Sequence, residues 1–165
     1  MSLGLYIHVP FCGKKCRYCD FYSLPYRKEQ VQSYVEAVLR NIRHYSDKST
    51  ITDTIYFGGG TPSLLSAEQI SAILREIYDN FNVENSAEIT LEANPNTLTA
   101  EKLEKLRISG INRLSMGIQS MNDEELKILG RTHTAERAVK AVYDAKSAGF
   151  DNISIIISNF CAFLG

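Results

Sequence analysis

No apolar run in this 165-residue chain approaches the ~20 residues of a membrane-spanning helix. An excess of one charge is also lacking: the formal net charge is −1, with 22% charged residues. That balance argues against non-specific nucleic-acid binding, which needs a basic face, and against a disordered acidic tail. The first residues, MSLGLYIHV, lack the basic and long apolar regions of a secretory signal. Internal repeats, low-complexity tracts and obvious linkers are missing too, and the length suits one domain with a real core. Together these absences predict a cytoplasmic chain with reduced thiols. Cysteine is scarce, four in all, yet Cys12, Cys16 and Cys19 fall within eight residues. In a reducing compartment such clustering reads as metal binding or catalysis and not as a disulfide framework.

Short β-rich runs alternate with longer amphipathic segments. LYIHV (5–9) reads as a strand, and 28–45 places Val31, Tyr34, Val35, Val38, Leu39 and Ile42 on one helical face. DTIYF (53–57) is a second strand. Ser66 and Gln69 form a capping box for a helix whose buried stripe is Ile70, Ile73, Leu74, Ile77 and Phe81. AEITLEA (87–93) alternates as a strand, and Thr99 caps a short helix ending before Gly110. INRLSMGIQ (111–119) is the fourth strand, Asn122 starts a helix that stops at Gly130, and another runs from Thr134 to Ala148. DNISIIIS (151–158) is the fifth strand.

The order β-α-β-α-β-α-β-α-β predicts an α/β fold, a partial parallel (β/α) barrel of about five β/α units. Ligands of such sheets bind at the C-terminal edge of the strands. The cysteine loop, GGGTP (58–62), EANP (92–95) and GIQS (117–120) all fall there. After strand 5 the chain runs into SNFCAFLG without a covering helix or closing strand. The expectation is a core cut short before closure, with 159–165 as an anomalous tail and the exposed strand edge inviting self-association.

C-x3-C-x2-C spacing lets one tight loop wrap a small cluster. A [4Fe–4S] cube takes one ligand per iron, so three cysteines leave one iron open to a small molecule. A zinc site of Cys12, Cys16, Cys19 and His8 is the alternative on spacing. Cys161 sits in the apolar tail and is a doubtful fourth ligand, because small buried cysteines are common in such segments. The glycines of GGGTP let a ligand approach the backbone, but a tight turn explains them equally well. Glu92 and Gln119 at strand ends read as solvated side chains unless a ligand gathers them. Arg131, past Gly130, reads as a residue at a helix end.

CGKKCRYC on the loop after strand 1 resembles the signature of radical S-adenosylmethionine (SAM) enzymes. With LYIHVPFCGKKCRYCDFYS, YFGGGTPSLL, TLEANP, NRLSMGIQS and LKILGRTH, the chain is similar to the group of oxygen-independent coproporphyrinogen III oxidases (HemN) and its haem-chaperone-like HemW branch. The resemblance runs from about Tyr6 to Ile155. It implies that Cys12, Cys16 and Cys19 hold a [4Fe–4S] cluster, that SAM chelates the fourth iron, and that electron transfer cleaves its sulfonium to a carbon radical. Tyr6, Tyr18, Gly58, Gly59, Gly60, Thr61, Glu92, Gln119 and Arg131 are then the SAM-binding candidates. His8 would support the cluster electrostatically or serve as an ordinary rim histidine. Exposed Lys14 and Lys15 would receive an electron donor of the acidic flavodoxin type. Phe21 stands where the oxidase carries a further cysteine, which favours the haem-handling branch over porphyrinogen decarboxylation. Ile156 stands where relatives carry an aspartate near SAM, and SNFCAFLG replaces their GLP turn. The implied whole protein adds a C-terminal domain and haem as a candidate ligand, and the 165 residues alone are expected to show little turnover.

Overall fold

The computed structural model describes residues 2–157. Cys161 and the tail that sequence reading singles out therefore lie outside the described residues. In chain order the elements begin with β1 (Ser2–Val9), β2 (Phe11–Cys12), β3 (Leu24–Pro25), α1 (Lys28–His44) and β4 (Asp47–Gly59). They continue with α2 (Ala67–Asn80), β5 (Phe81–Ala93), α3 (Ala100–Ile108) and β6 (Arg113–Gln119). The last three are α4 (Asp123–Leu129), α5 (Ala135–Ser147) and β7 (Asn152–Ile157). The main sheet is parallel throughout, in the order β1-β4-β5-β6-β7. Each strand is laid beside its predecessor, and the C-terminal ends gather on one edge. This is the expected partial parallel barrel.

Helix packing follows from the apolar stripes. Ile70, Ile73, Leu74 and Ile77 of α2 are at most 1% exposed. Burying each is worth about 1.5–3 kcal/mol, which fixes the face that α2 turns to the sheet. Ser66 accepts from Gln69 N while Gln69 Oε1 accepts from Ser66 N, so the capping box is complete. Thr99, Asn122 and Thr134 likewise cap α3, α4 and α5 through their side chains. Gly130, in the left-handed region at φ 75°, ends α4. On α1, Val31, Val35 and Ile42 are buried, and Tyr34, Val38 and Leu39 are partly buried against the same core.

The differences from the sequence reading lie at strand starts. β4 and β5 begin at Asp47 and Phe81, well before the alternating runs, and pair there with register breaks. Those early stretches are polar (DKST and NVENS), so apolar alternation does not mark them. β6 begins at Arg113, not 111, because Asn112 is used otherwise: its side chain accepts from Ile89 N at 2.7 Å and donates to Ala87 O at 2.8 Å. Short 3-10 turns, Pro62–Leu64 and Pro95–Thr97, intervene between strand and helix. No helix among the described residues is long and apolar enough to cross a membrane.

Candidate functional site

The cysteine loop leaves β1 and is pinned at its base. The β2–β3 pair closes it, with Leu24 N donating to Pro10 O at 2.6 Å and Tyr26 N to Cys12 O at 2.9 Å. Phe11, 2% exposed, is wedged edge-on against Tyr26 and Tyr34. Arg17 N donates to Leu129 O at 3.2 Å, which ties the loop to the C-terminal end of α4. The loop therefore bridges the first and fourth crossovers.

The glycine turn approaches this loop through backbone bonds: Gly60 N to Val9 O at 2.8 Å and Thr61 N to Phe11 O at 2.7 Å. A Cβ on Gly60 would lie 2.6 Å from Phe11 O and 3.1 Å from Cys12 Sγ. Only glycine permits that approach. The two glycines before it have other uses. A Cβ on Gly58 would meet the rings of Tyr6 and Tyr56, and one on Gly59, at φ +111°, would meet the His8 ring.

A cavity of about 260 Å³ opens where these segments meet. Its wall includes Cys12, Cys16, Cys19, Tyr18, Gly60, Thr61, Glu92, Gln119 and Arg131. Of the SAM-binding candidates, the structure does not put Tyr6, Gly58 or Gly59 in that wall. Tyr6 stands beside it, its ring 6.0 Å from that of Tyr56 and its hydroxyl 3.3 Å from His8 Nδ1. Burial raises the Tyr6 pKa, and Glu92 adds to the shift. Ile156, Lys14, Lys15 and Phe21 also face the cavity.

Glu92 is aimed by two donors, the Tyr56 hydroxyl at 2.8 Å and Gly59 N at 3.2 Å. Burial first, then Glu92 itself, pushes the Tyr56 pKa up to about 12, so the hydroxyl keeps its proton and its donor role. Sequence reading missed Tyr56. Its signal was register: Tyr56 pairs with Thr90, so it can reach Glu92 two residues on, on the same face.

Arg131 turns in after Gly130. Its guanidinium donates to Cys16 Sγ at 3.5 Å and to the Gly117 carbonyl, while Nε is buried without a hydrogen-bond partner among the described residues. Gly117 makes room, since a Cβ there would lie 3.1 Å from Gln119 Nε2 and 3.5 Å from Arg131 Nη2. Tyr18 is pushed up to about 12, chiefly by burial, with Arg131 pulling the other way. Gln119, at φ 75°, is the one non-glycine with positive φ among the described residues. Such a conformation costs about 1–3 kcal/mol and persists only where its surroundings hold it. On either side of Gln119, Ser120 donates to Glu125 and His133 Nε2 bonds Ile118 O at 3.0 Å. His133, which carries no distinct sequence signal, is only 4% exposed.

The donor set is three free thiols, each partly buried. No three histidine, cysteine or carboxylate side chains among the described residues are grouped to hold a single metal ion. Among the described residues the zinc reading with His8 thus has no preformed geometry, and His8 Nδ1 is instead 3.3 Å from the Tyr6 hydroxyl. A cluster does not need convergence on a point, because each thiolate binds a different iron.

Known proteins share this fold. The model of the Radical SAM superfamily matches residues 6–162. Over 162 residues the chain is 43% identical to heme chaperone HemW of Haemophilus influenzae, covering 93% of this chain and 42% of that protein. Over 160 residues it is 36% identical to radical S-adenosyl methionine domain-containing protein 1, mitochondrial, of Danio rerio, covering 95% of this chain and 36% of that one. The fold superposes on coproporphyrinogen III oxidase (HemN) from Escherichia coli with a TM-score of 0.87 and 32% identity, covering 93% and 36% of the two chains. The chain thus spans about two fifths of the length of its curated relatives.

Proposed function

The chain belongs to the radical SAM superfamily, and on that footing we propose that it binds a [4Fe–4S] cluster through Cys12, Cys16 and Cys19, with SAM beside it. One observation carries this reading: segments far apart in sequence bring three free thiols, the Gly60–Thr61 turn, Glu92, Gln119 and Arg131 to one cavity. The residues fit the group. Among the described residues the three thiols are neither paired nor grouped into a single-ion site, and the missing Cβ of Gly60 keeps the wall beside Cys12 open.

When bound, the cluster supplies the electron that cleaves the SAM sulfonium. The protein's own part is positioning. Glu92, held by Tyr56 and Gly59, presents a carboxylate suited to an ammonium or a ribose hydroxyl. Gln119 offers amide donors and acceptors from a fixed backbone turn. Arg131 braces Cys16 against Gly117 O, with its buried Nε as a spare donor for an anionic group. Exposed Lys14 and Lys15 at the cavity suit an acidic, flavodoxin-type electron donor.

For a protein of the relatives' length we favour haem handling in the cytoplasm over porphyrinogen oxidation. Phe21, 66% exposed beside Cys19, offers an aromatic surface where the oxidase signature calls for a further thiol. A chain of the relatives' full length should bind haemin in a spectroscopic titration and leave coproporphyrinogen III unchanged under reducing, anaerobic conditions with SAM. Decarboxylation of the porphyrinogen would establish the oxidase reading instead.

A further inference from the structure

Behind the glycine turn lies a second cavity, of about 460 Å³, that shares no wall residue with the first. It opens between the starts of α1, α2 and α3. Its charged groups are Lys28 from α1, Glu68 from α2, and Glu101, Lys102 and Lys105 from α3, with Tyr26 alongside. Both carboxylates are engaged by Lys105, Glu68 at 3.2 Å and Glu101 at 2.9 Å. Among the described residues Lys102 makes no ion pair. Its half-buried Nζ donates instead to the neutral Ser63 carbonyl at 2.5 Å.

We propose that Lys102 is a nucleophilic lysine, a site of covalent acylation by small activated acyl groups (acyl phosphates or thioesters) that enter this cavity. Burial lowers its pKa from the ordinary lysine value to about 8, and the attraction of Glu68 opposes that shift without cancelling it. A substantial fraction of the amine is then neutral near physiological pH, whereas an ordinary lysine is almost wholly protonated. In the reaction the Nζ lone pair attacks the acyl carbon and a C–N bond forms. The bond from that carbon to phosphate oxygen or thioester sulfur breaks, the leaving group takes the electron pair, and the amine proton passes to water.

The position gives the modification a consequence. Ser63 Oγ shares a hydrogen bond with Thr97 Oγ1 at 2.5 Å and accepts from Asn94 N at 3.1 Å. Pro62 and Asn94, next to these groups, line the cysteine cavity. Acylation replaces an ammonium donor by a neutral amide and loosens the support behind that wall. This coupling rests on the cofactor reading above, but the labelling chemistry does not.

The test is short-time labelling of the purified full chain with acetyl phosphate and, in a separate arm, with S-acetyl-N-acetylcysteamine. Every lysine is quantified by peptide mass spectrometry from neutral pH up to the ordinary lysine range. The neutral-amine gain, offset by a nucleophilicity loss of the size known for thiols, predicts Lys102 about tenfold faster than Lys105 near pH 8. Its rate should level off above about pH 8 while that of Lys105, whose pKa is raised by its hydrogen bonds to Glu101 and Glu68, keeps rising, and urea denaturation should abolish the difference. Reaction in only one arm identifies the acyl source. If Lys102 reacts no faster than Lys105 in both arms, the proposal is overturned.

Discussion

Replacing Gly60 by alanine tests the close approach on which the cavity depends. The added Cβ would sit 2.6 Å from Phe11 O and 3.0 Å from Phe11 C. Both atoms are backbone, in a segment held by the buried Phe11 ring, so neither can swing aside. The glycine turn and the cysteine loop must part, breaking the 2.7 Å bond from Thr61 N to Phe11 O or straining it. Overpacking of this kind costs about 1–3 kcal/mol. For a domain of this size each kcal/mol moves Tm by about 2–4 °C, so the loss should be roughly 2–12 °C. Gly13 is the matched control in the same loop, since a Cβ there meets nothing within 4 Å. Gly13→Ala should be neutral or more stable by about 0.4–1 kcal/mol through the unfolded chain. Differential scanning calorimetry of both variants reads the effect, and iron bound after anaerobic reconstitution should drop for Gly60→Ala only. Equal Tm values for the two variants would refute the steric argument.

Other outcomes follow from single contacts. His133, buried against Ile118 O, has its pKa lowered from 6.5 to about 4, first by burial and then by Arg131. Well above pH 6.5 neither state is protonated there. As pH falls through 6.5 toward 4 the unfolded chain takes up a proton the folded one resists, so stability is lost, by up to roughly 3 kcal/mol. Urea midpoints across that window should fall less steeply in His133→Gln, and identical slopes would exclude His133 as the cause. Tyr56→Phe removes one of the two donors to Glu92 and should cost about 1 kcal/mol in urea unfolding and weaken SAM binding in calorimetric titration. Unchanged SAM affinity would show that Glu92 needs no such aiming. β7 is an outer strand of the sheet with Ile155, Ile156 and Ile157 about half exposed, so the chain should self-associate through that edge. Ile156→Lys should shift light scattering toward monomer, and a wild-type chain already monomeric would contradict the expectation.

Much of the fold was legible because its signals are local. Ser66 with Gln69, Thr99, Asn122, Thr134 and Gly130 mark helix ends by side-chain chemistry within a few residues, and the structure uses each one that way. Alternation of apolar residues located the strand cores but not the polar starts of β4 and β5, where backbone pairing continues without burial. The site was legible as a rim, since topology alone gathers the strand ends. Its internal wiring was not. Nothing local assigns Gly58 and Gly59 to the rings of Tyr6 and Tyr56 and to His8, or aims Glu92 by a tyrosine on the neighbouring strand. Arg131 read as a helix-end residue, and its grip on Cys16 spans a separation of 115 residues that no periodicity encodes. His133 was silent because a buried histidine bonded to a backbone carbonyl has the same sequence signature as an exposed one.

The cluster itself is the most direct measurement. The chain is reconstituted anaerobically with iron and sulfide, desalted, and analysed for metal and by visible and Mössbauer spectroscopy. The account predicts a brown protein with about four irons per chain, lost in Cys12→Ala, Cys16→Ala and Cys19→Ala alike. Stoichiometric zinc with no iron uptake, or a cluster that survives loss of any one of these cysteines, would contradict it.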